Sequence, residues 1–302
     1  MASYGWSACE ADPVRSVAAL VLAAAVLSGC GDQGSAAPVG APPLPPSPTA
    51  VASMPPAPAS LSPSDLTPVP VWKVGASPLP LRPDGFGVVT ATPPVLRNRR
   101  LPTVDRLPPP TGGRFAATVG PVTAALRQRM GQSWSPACPV ALRRLRYVTV
   151  SFRGFDGKPH TGELVVAARV ATGVVGAFRR LYALGFPIEE MRLPTTADLL
   201  AKPTGDGNNT AAYVCRAVRG ESSFSAHAYG IAIDVNPFQN PEVRRDLVLP
   251  ELAGAYTNRG WRRPGMLLPG SPQVAAFAAI GWKWGGSWKT LKDPMHFSLT
   301  GT

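Results

Sequence analysis

The chain has 302 residues, with 30 Lys and Arg against 18 Asp and Glu, a formal charge of +12. Of its 36 prolines, 21 fall between Pro38 and Pro110, too dense for ordinary helices or interior strands, because each proline removes a donor and fixes φ. A large N-terminal cofactor domain is therefore not expected, and residues 111–302 remain as one globular domain long enough to bury a core. The basic excess belongs to that domain, but no basic run exceeds a pair such as Arg99-Arg100 or Arg143-Arg144. Nucleic acid is not an expected partner.

At the N-terminus, Val17 to Leu27 is an uncharged apolar run, too short to span a bilayer but suited to a secretory signal over residues 1–29. It runs into Leu27-Ser28-Gly29-Cys30, which resembles the bacterial lipobox and makes Cys30 the candidate for lipidation. Glu10 and Asp12 fit poorly before such a run, and a start at Val14 would remove them. Residues 30–110 read as a Pro-rich linker, largely disordered, although Trp72, Phe86 and the Arg97–Arg100 cluster leave open an irregular wrap over the domain. With Cys9 in the leader and Cys30 as the lipid site, Cys138 and Cys215 are one possible disulfide pair in an oxidising compartment, two buried thiols being the alternative.

In the globular part, Pro121 to Met130 predicts a helix that Gly131 stops. Tyr147–Phe152 and Gly162–Ala168 predict strands on either side of a turn at Phe155–Lys158. Thr172–Leu184 places Val175, Phe178, Leu181 and Tyr182 on one helical face. Ile188–Leu193, Tyr213–Arg216, Gly230–Val235 and His296–Leu299 are further strand candidates, and Gln273–Ile280 a second helix. The mixture without a Gly-rich phosphate loop predicts an α+β domain with an antiparallel sheet and flanking helices.

Three histidines can be weighed singly. The alternation Ile231, Ile233, Val235 puts Asp234 on the opposite face of its strand, beside the loop that holds His227. His296, opening the last strand, offers a third ligand, and Asp293 lies three residues before it. Two histidines and one carboxylate leave an open position on a tetrahedral ion, the pattern of a catalytic Zn2+ site, and Asp293 would then be the general base. His160 has no such partners and reads as structural.

Ser225-x-His227-x-x-Gly230-x-Ala232-x-Asp234, followed by Asn236-Pro237, Trp284-Gly285-Gly286-Ser287-Trp288 and Asp293-Pro294-Met295-His296-Phe297, resembles the VanY-like D-alanyl-D-alanine carboxypeptidases, a group of zinc peptidases whose relatives include D,D-dipeptidases and L-alanyl-D-glutamate endolysins. The likeness runs roughly from Trp134 to Leu299, including Phe155-Asp156-Gly157, Phe186-Pro187-Ile188 and Asn209-Thr210. It implies zinc ligands His227, Asp234 and His296, with Asp293 as catalytic acid/base. It also implies that Arg216 binds the developing oxyanion or a substrate carboxylate, with an ion pair to Asp206 or Glu221 as the alternative and Arg219 as a competitor. Ser225, Tyr229 and Trp284 are candidate substrate-binding residues, against loop-capping for Ser225 and core roles for the aromatics. Pro294, and Ser298 where many relatives carry an acid, depart from the pattern.

The function expected from these residues is hydrolysis of peptidoglycan stem peptides by an exported monomer held by its lipid on the outer face of the cytoplasmic membrane. An L-alanyl-D-glutamate-type endopeptidase and a non-catalytic muropeptide-binding lipoprotein are the alternatives.

Overall fold

The computed structural model describes residues 72–218 and 222–301. The signal, Cys30, the linker up to residue 71, Arg219 and Glu221 lie outside the described residues.

Among the described residues, two three-stranded antiparallel sheets, a two-stranded hairpin, one helix of 13 residues and shorter helices build the domain. The first sheet joins β1 (Ala117–Pro121), β2 (Leu145–Arg153) and β3 (Pro159–Ala167) in that order. Val148 faces Leu164 and Val150 faces Gly162 across β2–β3, so the two-residue period sends Val148, Val150, Phe152, Leu164 and Val166 to one side. Helix α2 (Ala171–Ala183) covers that side with Val174, Ala177, Phe178 and Leu181. Val174 is fully buried, and Val175 is half-buried at the edge of the same cluster. The other side of β2–β3 buries Leu145 and Val165 against Leu193 and Tyr213. Near them Cys138 and Cys215 form a disulfide, closing a loop of 77 residues.

Helix α1 spans Ala124–Met130, not Pro121–Met130. Pro121 ends β1, and the Thr123 side chain accepts from Leu126 N as the cap. A five-residue helix, α3 (Thr196–Leu200), opens on a capping box between Thr195 and Asp198. The second sheet has the order β4 (Ala232–Asp234), β8 (His296–Ser298), β7 (Lys283–Trp284). Ile233 and Phe297 are paired in it and wholly buried in the main core, beside Phe277 of α4 (Pro272–Ala278). A hairpin of β5 (Glu242–Arg244) and β6 (Leu247–Leu249) lies between these in sequence. Ile188–Leu193 and Tyr213–Arg216 are not strands; they run as irregular chain with single bridges nearby, such as Glu190–Asn209 and Ala211–Asp234. Among the described residues no helix is long and apolar enough to cross a membrane.

The expected disorder up to residue 110 is corrected for residues 72–110. That strap has almost no regular structure, as its prolines require, yet it is bound to the domain by side chains. Trp72 Nε1 donates to Asp206 Oδ2 at 2.8 Å, and Gly87 N donates to Glu251 Oε1 at 2.7 Å. Leu96 is fully buried with Phe238, Leu252 and Tyr256. Arg99, 1% exposed, grips both oxygens of Glu189 at 2.6 and 2.8 Å and donates to Asp206 O. Asp105 and Asp156 hold the two ring nitrogens of His160, which stacks on Phe152; that histidine is structural. A domain cut at residue 111 would lose all of these partners.

Candidate metal centre

His227 stands on a single 3-10 turn, Ala226–Tyr229, which Ser225 caps through His227 N. The turn ends at Gly230 with φ 66°, where a Cβ would come within 2.6 Å of Ala167 N. Glycine is required there, and it redirects the chain into β4. Asp234 then pairs with His296 across β4–β8, both on the face opposite Ile233 and Phe297. Alternation that buries two apolar side chains in the core thus aims a carboxylate and an imidazole at one point outside it.

His227 Nδ1 donates to Ala212 O at 2.5 Å, since a carbonyl can only accept; Nε2 is therefore left with its lone pair toward the site. His227 Nε2 lies 3.2 Å from His296 Nδ1 and 3.3 Å from Asp234 Oδ2, and His296 Nδ1 lies 3.0 Å from Asp234 Oδ1. A tetrahedral ion with bonds of about 2.0–2.1 Å would hold its ligand atoms about 3.3 Å apart. The donor set and its spacing fit a divalent metal, and these three residues could hold one. Burial works to raise the Asp234 carboxyl, but the charges and hydrogen bonds of His227 and His296 outweigh it and hold the group well below the ordinary carboxylate range.

Asp293 is the fourth member. Its backbone is fixed by Gly285: Asp293 N donates to Gly285 O, and a Cβ on Gly285 would meet Asp293 O at 2.6 Å and His296 Cβ at 3.3 Å. That close approach explains one of the two glycines in the Trp-Gly-Gly-Ser-Trp segment. Trp284 Nε1 donates to Pro294 O at 2.8 Å while its ring packs against the main core, so Trp284 positions the Asp293–His296 loop. Trp288, its ring centroid 5.4 Å from that of His296, is the tryptophan beside the site. The Asp293 carboxyl is buried, and its Oδ1 has no hydrogen-bond partner among the described residues. Burial, and then the negative charges of Asp234 and Glu242, push it well above the usual range, against His296 and Arg216.

Arg216 is exposed and donates to Ala217 O at 3.3 Å, and its positive charge acts on both Asp293 and Glu242. Asp206 is not its partner, being taken up by Trp72, Gly75 and Thr204. Ser225 is buried as a cap, and Tyr229 is 41% exposed. Ser298 Oγ accepts from Gly301 N.

Glu242 was not among the candidate residues. Val243 and Lys292 exchange both backbone hydrogen bonds, which sets β5 alongside the Asp293 loop and places Glu242 next to that bridge. Burial raises the Glu242 carboxyl, Asp234 adds to the rise, and Arg244 and Arg216 oppose it. No spacing in the sequence signals this neighbour.

Residues 219–299 match the family described as D-alanyl-D-alanine carboxypeptidase. The resemblance read from the two motif blocks is borne out over that segment, which holds His227, Asp234, Asp293 and His296. The match supports a peptidase of the D-alanyl-D-alanine carboxypeptidase type, and the family implies a peptidoglycan-related substrate. The earlier likenesses lie outside the matched segment but meet the site as scaffold. Asn236 N donates to Thr210 Oγ1, and Asn236 Nδ2 donates to Pro187 O, holding the chain that leaves β4. No solved structure matches the chain significantly.

Proposed function

We propose that this chain is a zinc-dependent D-alanyl-D-alanine carboxypeptidase that trims peptidoglycan stem peptides. The observation that carries the reading is the convergence of His227, Asp234 and His296 beside a buried Asp293 whose Oδ1 lacks a partner. A zinc ion bound by the three residues would supply Lewis acidity toward the scissile carbonyl and make water acidic enough to attack near neutral pH.

The chain's own groups do the rest. Asp293 accepts the proton of the attacking water and returns it to the leaving amine. Arg216 stabilises the oxygen that becomes negative or holds the carboxylate of the terminal D-alanine. His227 keeps its coordinating nitrogen directed by the Ala212 carbonyl, so the ligand does not have to reorient during turnover.

The location follows the N-terminal residues: export, lipidation at Cys30 and a Pro-rich tether that lets one catalytic domain reach the wall above the membrane. Mass spectrometry of muropeptides treated with the zinc-loaded chain tests the reading. Loss of one terminal D-alanine is the expected product. Cleavage between L-alanine and D-glutamate would replace it with the endopeptidase, and no product with zinc bound at one equivalent would leave a binding module.

A further inference from the structure

A cavity of about 430 Å³ opens between the tip of the β5–β6 hairpin and the strap, lined by Arg82, Asp84, Arg244, Arg245 and Asp246, with Thr290 and Leu291 of the loop leading to Asp293. Its two acids are both engaged. Arg82 pairs with Asp84 at 3.1 Å and with Asp246 at 2.8 Å, fastening the hairpin tip to the strap. Among the described residues neither the Arg244 nor the Arg245 guanidinium has a hydrogen-bond or close ion-pair partner, and they act on Glu242 and Asp246 only through their charge. Two unpaired guanidinium groups are therefore left at a wall whose carboxylates are already matched.

Position ties this cavity to the reaction. Glu242 and Arg244 are two residues apart on β5, so they share a face and are separated by about 7 Å. On the facing segment Leu291 lies two residues before Asp293, and the Val243–Lys292 bridge holds the two runs in register. Along these paired runs the lining residues Arg244 and Leu291 therefore lie about 7 Å, the length of two extended residues, from Glu242 and Asp293. Arg245 holds φ 56° at the hairpin turn, a left-handed conformation uncommon for a long side chain.

We propose that this cavity is a subsite for a carboxylate of the substrate, bound by Arg244 and Arg245 two to three residues from the scissile bond. The inference rests on the carboxypeptidase reading and deepens it: the hairpin reads an acidic residue of the stem peptide, and the strap, through Arg82, holds the reader in place. Guanidinium groups suit the task because they form paired, charge-assisted hydrogen bonds with a planar carboxylate.

The test uses two stem pentapeptides whose γ-linked D-glutamate carries either a free α-carboxylate or a carboxamide, given to the zinc-loaded full chain. The expected result is a preference for the carboxylate of about tenfold in kcat/KM, carried by KM. In the double variant Arg244→Gln, Arg245→Asn the preference falls to near one; reading the ratio of the two peptides cancels any effect of Arg244 on Glu242 and Asp293, which both peptides share. Asparagine tolerates the left-handed turn, so the hairpin is kept. Equal rates on the two peptides by the unaltered chain, or a preference that survives in the variant, would overturn the subsite. If the chain cleaves neither peptide, the carboxypeptidase reading fails separately. Calorimetric affinities for the same uncleaved pair then decide the subsite: tighter binding of the carboxylate supports it, and equal binding overturns it.

Discussion

Asp234 and His296 are directly opposed across β4 and β8, with Asp234 Oδ1 3.0 Å from His296 Nδ1. The pairing register puts both side chains on one face at opposed positions, so the sheet orients the two ligands toward one point. Replacing Asp234 by Asn keeps the shape but removes the charge. Zinc affinity should fall on the order of 100-fold or more, measured by competition with a chromogenic chelator, with the circular dichroism spectrum unchanged.

Gly285 is the closest backbone support of Asp293, and the space for a methyl group does not exist there. Gly285→Ala should displace the Asp293 loop by a fraction of an ångström to about 1 Å and lower kcat on the order of 100-fold. Zinc at one equivalent should be retained, since His227 and Asp234 lie on other segments. Elemental analysis beside the rate assay separates the two effects.

The Arg99–Glu189 pair is fully enclosed, joining the strap to the segment that follows α2. Arg99→Ala leaves Glu189 buried with Asn208 Nδ2 as a remaining partner, and urea unfolding should show a loss of about 3–5 kcal/mol. A loss below about 1 kcal/mol would mean that the strap is dispensable to the domain.

Acid should weaken the start of α3. Burial opposes ionisation of Asp198, but the Arg192 guanidinium and the Thr195 side chain and backbone NH hold its carboxyl down at about 2. A carboxyl depressed in the folded state contributes stability at pH values above its unfolded value and loses it as pH falls from about 4 toward 2. Discounted for its exposure to solvent, that contribution is about 1 kcal/mol. Asp198→Asn should therefore show a shallower fall in urea stability over that interval than the unaltered chain.

Much of the metal centre is readable along the chain, because its ligands sit in two short blocks and the Ile231–Val235 alternation already separates core from site. The β2–β3 hairpin follows an equally local signal, and the disulfide, though it joins positions 77 apart, follows from the count of cysteines left in the part read as exported. What is not readable depends on contacts between distant segments. The hairpin strands β5 and β6 have three residues each, too few for a periodic signal, so Glu242 and the arginines beside it are brought to the site only by the Val243–Lys292 pairing. The strap misleads for another physical reason. Proline density removes helices and strands from 72–110, but it does not prevent Leu96 and Arg99 from being buried by residues 90 or more positions away.

The most direct test compares the full chain with Asp293→Ala, measuring bound zinc and released D-alanine on the same preparations. The account predicts one equivalent of zinc in both, D-alanine from the unaltered chain, and release lowered by at least about 100-fold in the variant. Undiminished release from Asp293→Ala would contradict the assignment of Asp293, and zinc retained after loss of His227 and His296 together would contradict the metal centre itself.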